Sequence, residues 1–170
     1  MKKIKAVIFD WAGTTVDYGC MAPVQAFVEV FKQYGIEPTM EEVRKPMGML
    51  KIDHIRTMLQ MERIRDLWVE KYGKEPGEEE AQALYSIFEE KLLSILPDHS
   101  GVKPGVVETV NRLRRNGILI GSTTGYNDKM MEIVVPAAKA QGYEPDVWFS
   151  PDSTGQKGRP FPYMIFRNME

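Results

Sequence analysis

An aspartate closes a short apolar run near the start of this sequence, Lys5-Ala6-Val7-Ile8-Phe9-Asp10, and Trp11-Ala12-Gly13-Thr14-Thr15-Val16-Asp17 follows it. A carboxylate carried by a buried strand into a Gly-Thr-Thr turn sits among backbone N–H donors. That setting suits attack of the carboxylate on phosphorus while loop amides hold the phosphoryl oxygens. An Asp at a strand end also serves simply to cap a turn. The balance tips toward chemistry because a second apolar run, Gly117-Ile118-Leu119-Ile120-Gly121, ends in Ser122-Thr123-Thr124-Gly125-Tyr126. The Thr124 hydroxyl and the Gly125 amide there can hold the same anion, or can merely shape a strand-to-helix turn. Tyr126 can face a substrate or pack the edge of the core.

The elements that must position these groups alternate in type. Both apolar runs, and a shorter third one at Asp146-Val147-Trp148-Phe149-Ser150-Pro151-Asp152, read as buried parallel strands that deliver small polar residues to one edge of an open sheet. Helical periodicity covers residues 23–34, stopped by Gly35, and residues 61–72, stopped by Gly73. Thr39 with Glu42 has the spacing of a capping box for a short helix that ends before Pro46. Further helices are expected over 51–59, 78–96, 104–116 with Pro104 in its first turn, and 127–141, where Pro136 should kink or split the helix. Parallel neighbours are usually joined by one crossover helix, yet here over a hundred mostly helical residues separate the first two strands. The economical reading is an α/β core, residues 1–19 and 101–170, interrupted by a helical domain over 20–100.

Composition narrows the function. Hydrophobic residues are 43% and charged ones 27% of 170, the mix of a globular chain. Lys and Arg number 22 against 24 acidic residues, so nothing in the charge points to nucleic acid. No apolar run approaches the roughly 20 residues of a membrane span. The start, Met1-Lys2-Lys3-Ile4-Lys5, leads into a strand with no cleavage signal, and Cys20 is a single cysteine. A cytoplasmic protein follows as the default expectation.

The stretch 9–17 resembles the first motif of the haloacid dehalogenase superfamily, and Ser122-Thr123-Thr124 its second. Most phosphatases of that superfamily carry a second Asp two residues after the nucleophile, as general acid and base; this chain has Ala12 there. Ala12, with Pro46-Met47-Gly48-Met49-Leu50-Lys51 in the helical insert and Gly158-Arg159-Pro160 after the third strand, is similar to the phosphonatase branch. The resemblance implies a Rossmannoid α/β core with an inserted α-helical cap, Mg²⁺ bound by Asp10 and the Ala12 carbonyl, and a homodimer formed through the cap. It implies cleavage of the P–C bond of phosphonoacetaldehyde, with Lys51 condensing on the aldehyde and Asp10 attacking phosphorus. Ala12 and Lys51 then belong together. A carbanion is a very poor leaving group, an iminium on Lys51 lets a neutral enamine depart instead, and an acid at position 12 becomes dispensable.

An aldehyde-attacking lysine must be unprotonated part of the time, so Lys51 is expected in an apolar, partly enclosed place beside Met47, Met49 and Leu50. A surface lysine at a helix start is the alternative. His54, three residues on, is placed to relay a proton or to be an ordinary structural histidine. Arg159 suits a grip on a phosphoryl group, with Lys157 competing in the same loop, and Cys20 matches a pocket position of the family or is an inert buried thiol. The family's fourth motif, an acidic pair on the next strand, has no counterpart before Glu170, and Asp152 comes too early to replace it. A core truncated at the C-terminus, with an open edge on its first strand, is therefore expected. Two further readings stay open: a sugar-phosphate phosphatase or mutase of the same superfamily, and an inactive fragment that only binds ligand or a partner.

Overall fold

A computed structural model describes residues 4–170, so Met1 to Lys3, read above as a basic start without a cleavage site, lie outside the described residues. The chain divides into two compact units. One is built from the residues up to Met21 together with Leu96–Glu170, the other is Ala22–Ile95.

The first unit carries a three-stranded parallel sheet in the order β1 (Ala6–Asp10), β2 (Leu119–Thr123), β3 (Val147–Phe149). The register pairs Ala6 with Leu119 and ends with Asp10 beside Thr123, which in turn pairs with Phe149. Parallel strands in that register bring their carboxyl ends to one edge, where polar residues follow each strand. The helices of this unit are α6 (Val106–Arg115), α7 (Asp128–Ala140) and α8 (Tyr163–Met169). Both α6 and α8 pack on β2. Gly121 in β2 is required there: a Cβ would fall 2.2 Å from Asn168 Oδ1, and Asn168 donates to the Ser122 carbonyl across the contact.

The second unit is entirely helical among the described residues: α1 (Met21–Gln33, which begins at the last residue of the first unit), α2 (Met40–Arg44), α3 (Lys51–Leu59), α4 (Glu62–Tyr72) and α5 (Glu78–Ile95). Its core is the buried stripe of each helix, including Phe27 and Phe31 of α1, Ile55 and Met58 of α3, Trp68 of α4, and Leu84 and Phe88 of α5. Thr39 and Glu42 form the full capping box, with the Thr39 hydroxyl accepting from the Glu42 amide and the Glu42 carboxylate accepting from the Thr39 amide. Gly73 ends α4 at φ 69°, a left-handed turn that costs glycine little.

Two local expectations are corrected. Pro136 does not split its helix: α7 runs unbroken over Asp128–Ala140, with Met130, Met131, Val134 and Ala138 buried on both sides of the proline. Helix α6 begins at Val106, after Pro104, because Gly105 adopts φ 82° and cannot lie inside a right-handed helix. The last helix starts at Tyr163, since Pro162 disfavours helical geometry at Phe161. The polar loop after β3 opens with a single 3₁₀ turn, Pro151–Thr154.

Candidate active site

Asp10 is the last residue of β1 and its carboxylate is partly open to solvent. Its Oδ1 accepts from the Trp11 amide at 2.8 Å and from the Arg159 guanidinium at 2.8 Å. The same Arg159 nitrogen donates to Thr123 Oγ1 at 2.8 Å, so register partners Asp10 and Thr123 share one cation. Oδ2 takes no part in these bonds. Arg159 comes from the loop before α8, far along the chain, and the sheet edge makes the meeting possible.

The turn after Asp10 is wired to itself. The Gly13 amide donates to the Val16 carbonyl at 2.8 Å, and the amides of Thr14 and Thr15 both donate to the Trp11 carbonyl. This corrects the expectation that these loop amides hold phosphoryl oxygens: they are already committed, and the Ala12 amide is the one these bonds do not use. Thr15 reinforces the turn by donating its hydroxyl to the Asp10 carbonyl at 3.0 Å, and Lys103 donates to the Gly13 carbonyl at 2.6 Å. Gly13 cannot be replaced cheaply. It sits at φ 83°, and a Cβ would come 3.1 Å from the Cβ of Cys20.

Cys20 is thus buried against the turn that follows Asp10, itself at φ 55°. Tyr126 is buried in the same unit, and its phenol is held protonated well above the ordinary tyrosine range, first by burial and then by the charges of Cys20, Asp17 and Asp10. Thr124 and Gly125 are buried at the end of β2, and Thr124 Oγ1 accepts from the Tyr126 amide at 3.0 Å. Asp152 accepts from the Asp128 amide at 2.7 Å and from Gln156, so it caps the start of α7. Lys157 lies 5.5 Å from the Tyr163 ring centroid, leaving Arg159 as the cation on Asp10.

In the helical unit, Lys51 opens α3 and is only 3% exposed. Its Nζ lies 6.0 Å from the centroid of the Phe27 ring. His54, one turn on, is fully buried and stacks on Phe27 at 3.8 Å. His54 Nε2 faces the Val43 carbonyl at 2.9 Å and therefore carries the ring proton, while Nδ1 is buried with no partner among the described residues. Burial, then the Lys51 charge, lower the imidazole to about 3, against the opposing pull of the Val43 bond. Met47 lies half-buried in the turn between α2 and α3.

Residues 4–170 match the haloacid dehalogenase-like hydrolases. This chain belongs to that family. Among its relatives, the phosphonoacetaldehyde hydrolase of Bacillus cytotoxicus is 55% identical over 166 residues, 98% of this chain and 62% of that protein. The bifunctional phosphonoacetaldehyde hydrolase/aminoethylphosphonate transaminase of Clostridioides difficile is 54% identical over 169 residues, 99% of this chain and 26% of that protein. The crystal structure of a phosphonoacetaldehyde hydrolase-like protein from Oleispira antarctica superposes with a TM-score of 0.92 at 42% identity, covering 98% of this chain and 60% of that one. The chain thus spans about 62% of the length of the phosphonoacetaldehyde hydrolases it matches. Solved structures at 19% identity or below, such as the β-phosphoglucomutase of Clostridioides difficile with a TM-score of 0.72, share the fold.

For a haloacid dehalogenase-like hydrolase the parallel sheet and its flanking helices are the expected frame, and Asp10 stands at the carboxyl end of its first strand. The strand register sets Thr123, rather than the Thr124 expected above, beside Asp10. The signal was present in the parallel pairing itself. Asp17, not singled out from the sequence, is a buried carboxylate at φ 52° that accepts from the Met21 amide at 3.0 Å and lies 3.5 Å from His99. Among the described residues no group of three or more His, Cys, Asp or Glu side chains could hold a metal, and no helix is long and apolar enough to cross a membrane.

Proposed function

We propose that this haloacid dehalogenase-like hydrolase cleaves the P–C bond of phosphonoacetaldehyde, giving acetaldehyde and phosphate. The observation that carries the reading is a lysine amine buried in an aromatic setting, in a chain whose strand-end Asp10 is followed two residues later by alanine. The neutral amine of Lys51 adds to the aldehyde, one proton is taken up from solvent as water leaves, and an iminium forms. Asp10 then attacks phosphorus, and the P–C electron pair moves onto the iminium to give a neutral enamine. Water hydrolyses the aspartyl phosphate. The enamine takes a proton on carbon, and a second water releases acetaldehyde and frees Lys51.

Arg159 orients the Asp10 carboxylate toward the anion, and Thr124 and Gly125 hold phosphonyl oxygens. Cys20, Met47, His54 and Tyr126 line the substrate. The donor set at the strand end fits Mg²⁺ as two oxygens, the Asp10 carboxylate and the Ala12 carbonyl, with water and substrate oxygens for the rest of an octahedron. What Mg²⁺ supplies there is neutralisation of charge between carboxylate and phosphonate. On the same reading the helical domain over residues 20–100 is the cap on a core formed by 1–19 and 101–170, a second copy associates through it, and the protein works in the cytoplasm.

A second reading, a chain that binds the aldehyde without turning it over, is favoured by the lack of a carboxylate cluster around Asp10 among the described residues. Acetaldehyde release from phosphonoacetaldehyde by the 170-residue chain, with and without Mg²⁺, separates the two. Metal-dependent release abolished by Lys51→Arg is the expected result. Borohydride capture of the aldehyde on Lys51 without any release would establish the second reading, and release that survives Lys51→Arg would sink both.

A further inference from the structure

The turn that follows Asp10 is tied to a stretch far along the chain. Residues 15–17 run antiparallel to 101–103: the Asp17 amide donates to the Gly101 carbonyl at 3.1 Å, the Lys103 amide donates to the Thr15 carbonyl at 2.9 Å, and Val16 bridges Val102 between them. Pro104 follows Lys103 and favours the extended backbone that such a ladder needs. Gln141 anchors the ladder in turn, its Oε1 accepting from the Val102 amide at 2.9 Å and its Nε2 donating to the Ser100 carbonyl at 3.2 Å. Lys103 adds a charge. Its Nζ donates to the Gly13 carbonyl at 2.6 Å and lies 5.3 Å from the centroid of the Tyr18 ring, within cation–π range. One residue therefore takes two carbonyls of the turn, one with its main chain and one with its ammonium. The peptide units on both sides of Gly13 are fixed as a result. The Gly13 N–H is held by the Val16 carbonyl, the Thr14 N–H by the Trp11 carbonyl, and the Gly13 carbonyl by Lys103.

We propose that Lys103 is a positioning residue for Asp10, its ammonium clamping the Gly13 turn so that the carboxylate and the Ala12 peptide keep the arrangement from which Asp10 attacks phosphorus. The proposal rests on the reading of Asp10 as the nucleophile. The Trp11 amide donates to Asp10 Oδ1, and the Trp11 carbonyl is where the amides of Thr14, Thr15 and Val16 converge. Releasing the Gly13 carbonyl loosens the Gly13–Thr14 peptide, which carries one of those amides, and the loosening reaches Asp10 through Trp11. Glycine has the widest backbone freedom of any residue, so position 13 is where a clamp on this turn has most to restrain. A group acting in this way bears on the rate of attack more than on the binding of substrate, and it leaves capture of the aldehyde by Lys51 untouched.

The test begins with amide hydrogen exchange in nitrogen-15-labelled protein. Lys103→Met keeps a long side chain and removes the ammonium, and Lys103→Gln does so with a polar end should the methionine variant not fold. Either is expected to speed exchange of the Thr14 amide by about tenfold or more, the factor that goes with losing a charge-assisted hydrogen bond. The Ile120 amide, held in β2 by Asp146, is expected to stay unchanged. Lys103→Arg restores a cationic donor and is expected to keep Thr14 within about threefold of wild type. In turnover, Lys103→Met is expected to lose about tenfold in kcat for phosphate release with KM for phosphonoacetaldehyde within about twofold, and borohydride capture on Lys51 is expected to be unaffected. Unchanged exchange at Thr14, a rise shared equally by Ile120, no rescue by arginine, or a loss confined to KM overturns the proposal. A wild-type chain that releases no phosphate sinks the functional reading alone, because the exchange comparison still decides whether Lys103 holds the turn.

Discussion

The two units hold the proposed reactive groups, Asp10 and Lys51, in opposite surroundings. Asp10 sits half open at a sheet edge, paired with Arg159 and wired through Thr123, Thr15 and a turn of internally bonded amides. Lys51 sits buried among Phe27, His54 and Leu50, with an aromatic stack behind it. A carboxylate that must meet an anionic phosphonate needs a cation and polar donors to bring the two negative groups together. An amine that must spend time neutral needs the reverse, an apolar wall that penalises its charge. The difference between the sites is thus a difference between the protonation states the proposed reaction demands of them.

The strongest way to break this division of labour is to disable each site alone. Asp10→Asn is expected to lower phosphate release by about a thousandfold or more while leaving aldehyde capture on Lys51 intact, as read by borohydride trapping and peptide mass. Lys51→Arg is expected to abolish capture. If Asp10→Asn also abolished capture, the two sites would not act as separate groups and the comparison would fail.

How much of this was legible in the sequence follows the same division. The strand-end acid could be read from one apolar run and its punctuation, because a parallel strand announces itself locally. The helix starts at Thr39 and Lys51 were equally local. What could not be read was anything that depends on register or on distant chain meeting chain: Thr123 as the neighbour of Asp10, the commitment of the Gly13, Thr14 and Thr15 amides to the turn, and Phe27 against Lys51. That Pro136 does not split α7 was unreadable for the same reason, since burial on both sides of it depends on distant packing.

Acid sharpens the comparison next. His54 is neutral in the folded protein down to about pH 3, whereas in the unfolded chain it takes up a proton near its ordinary value of 6.5. Below that value the unfolded state binds more protons than the folded one, so stability is lost as pH falls from about 6.5 toward 3. The slope approaches about 1.4 kcal/mol per pH unit for a single such group. Denaturant unfolding between pH 7 and 5 is expected to show this slope in wild type and its absence in His54→Leu. Equal slopes would mean that the imidazole protonates in place, and that the helical site is wetter than its burial implies.

The smallest expected effect lies at the sheet edge and asks whether the Asp10–Arg159 pair is built for stability or for the substrate. Both side chains are partly exposed, 37% for Asp10 and 28% for Arg159, and a pair so placed contributes about 1 kcal/mol or less to folding. A guanidinium that bonds both Asp10 and Thr123 stands at the sheet edge where the phosphonate is proposed to bind, so its removal should weaken phosphonate binding more than it weakens the fold. Arg159→Lys retains the charge and loses the fork. It is expected to raise KM for phosphonoacetaldehyde by about tenfold with a change in unfolding free energy of at most about 1 kcal/mol. A variant that instead lost several kcal/mol of stability at unchanged KM would make Arg159 a structural staple of the sheet edge. The polar site would then owe its anion affinity to the ends of β1 and β2 alone.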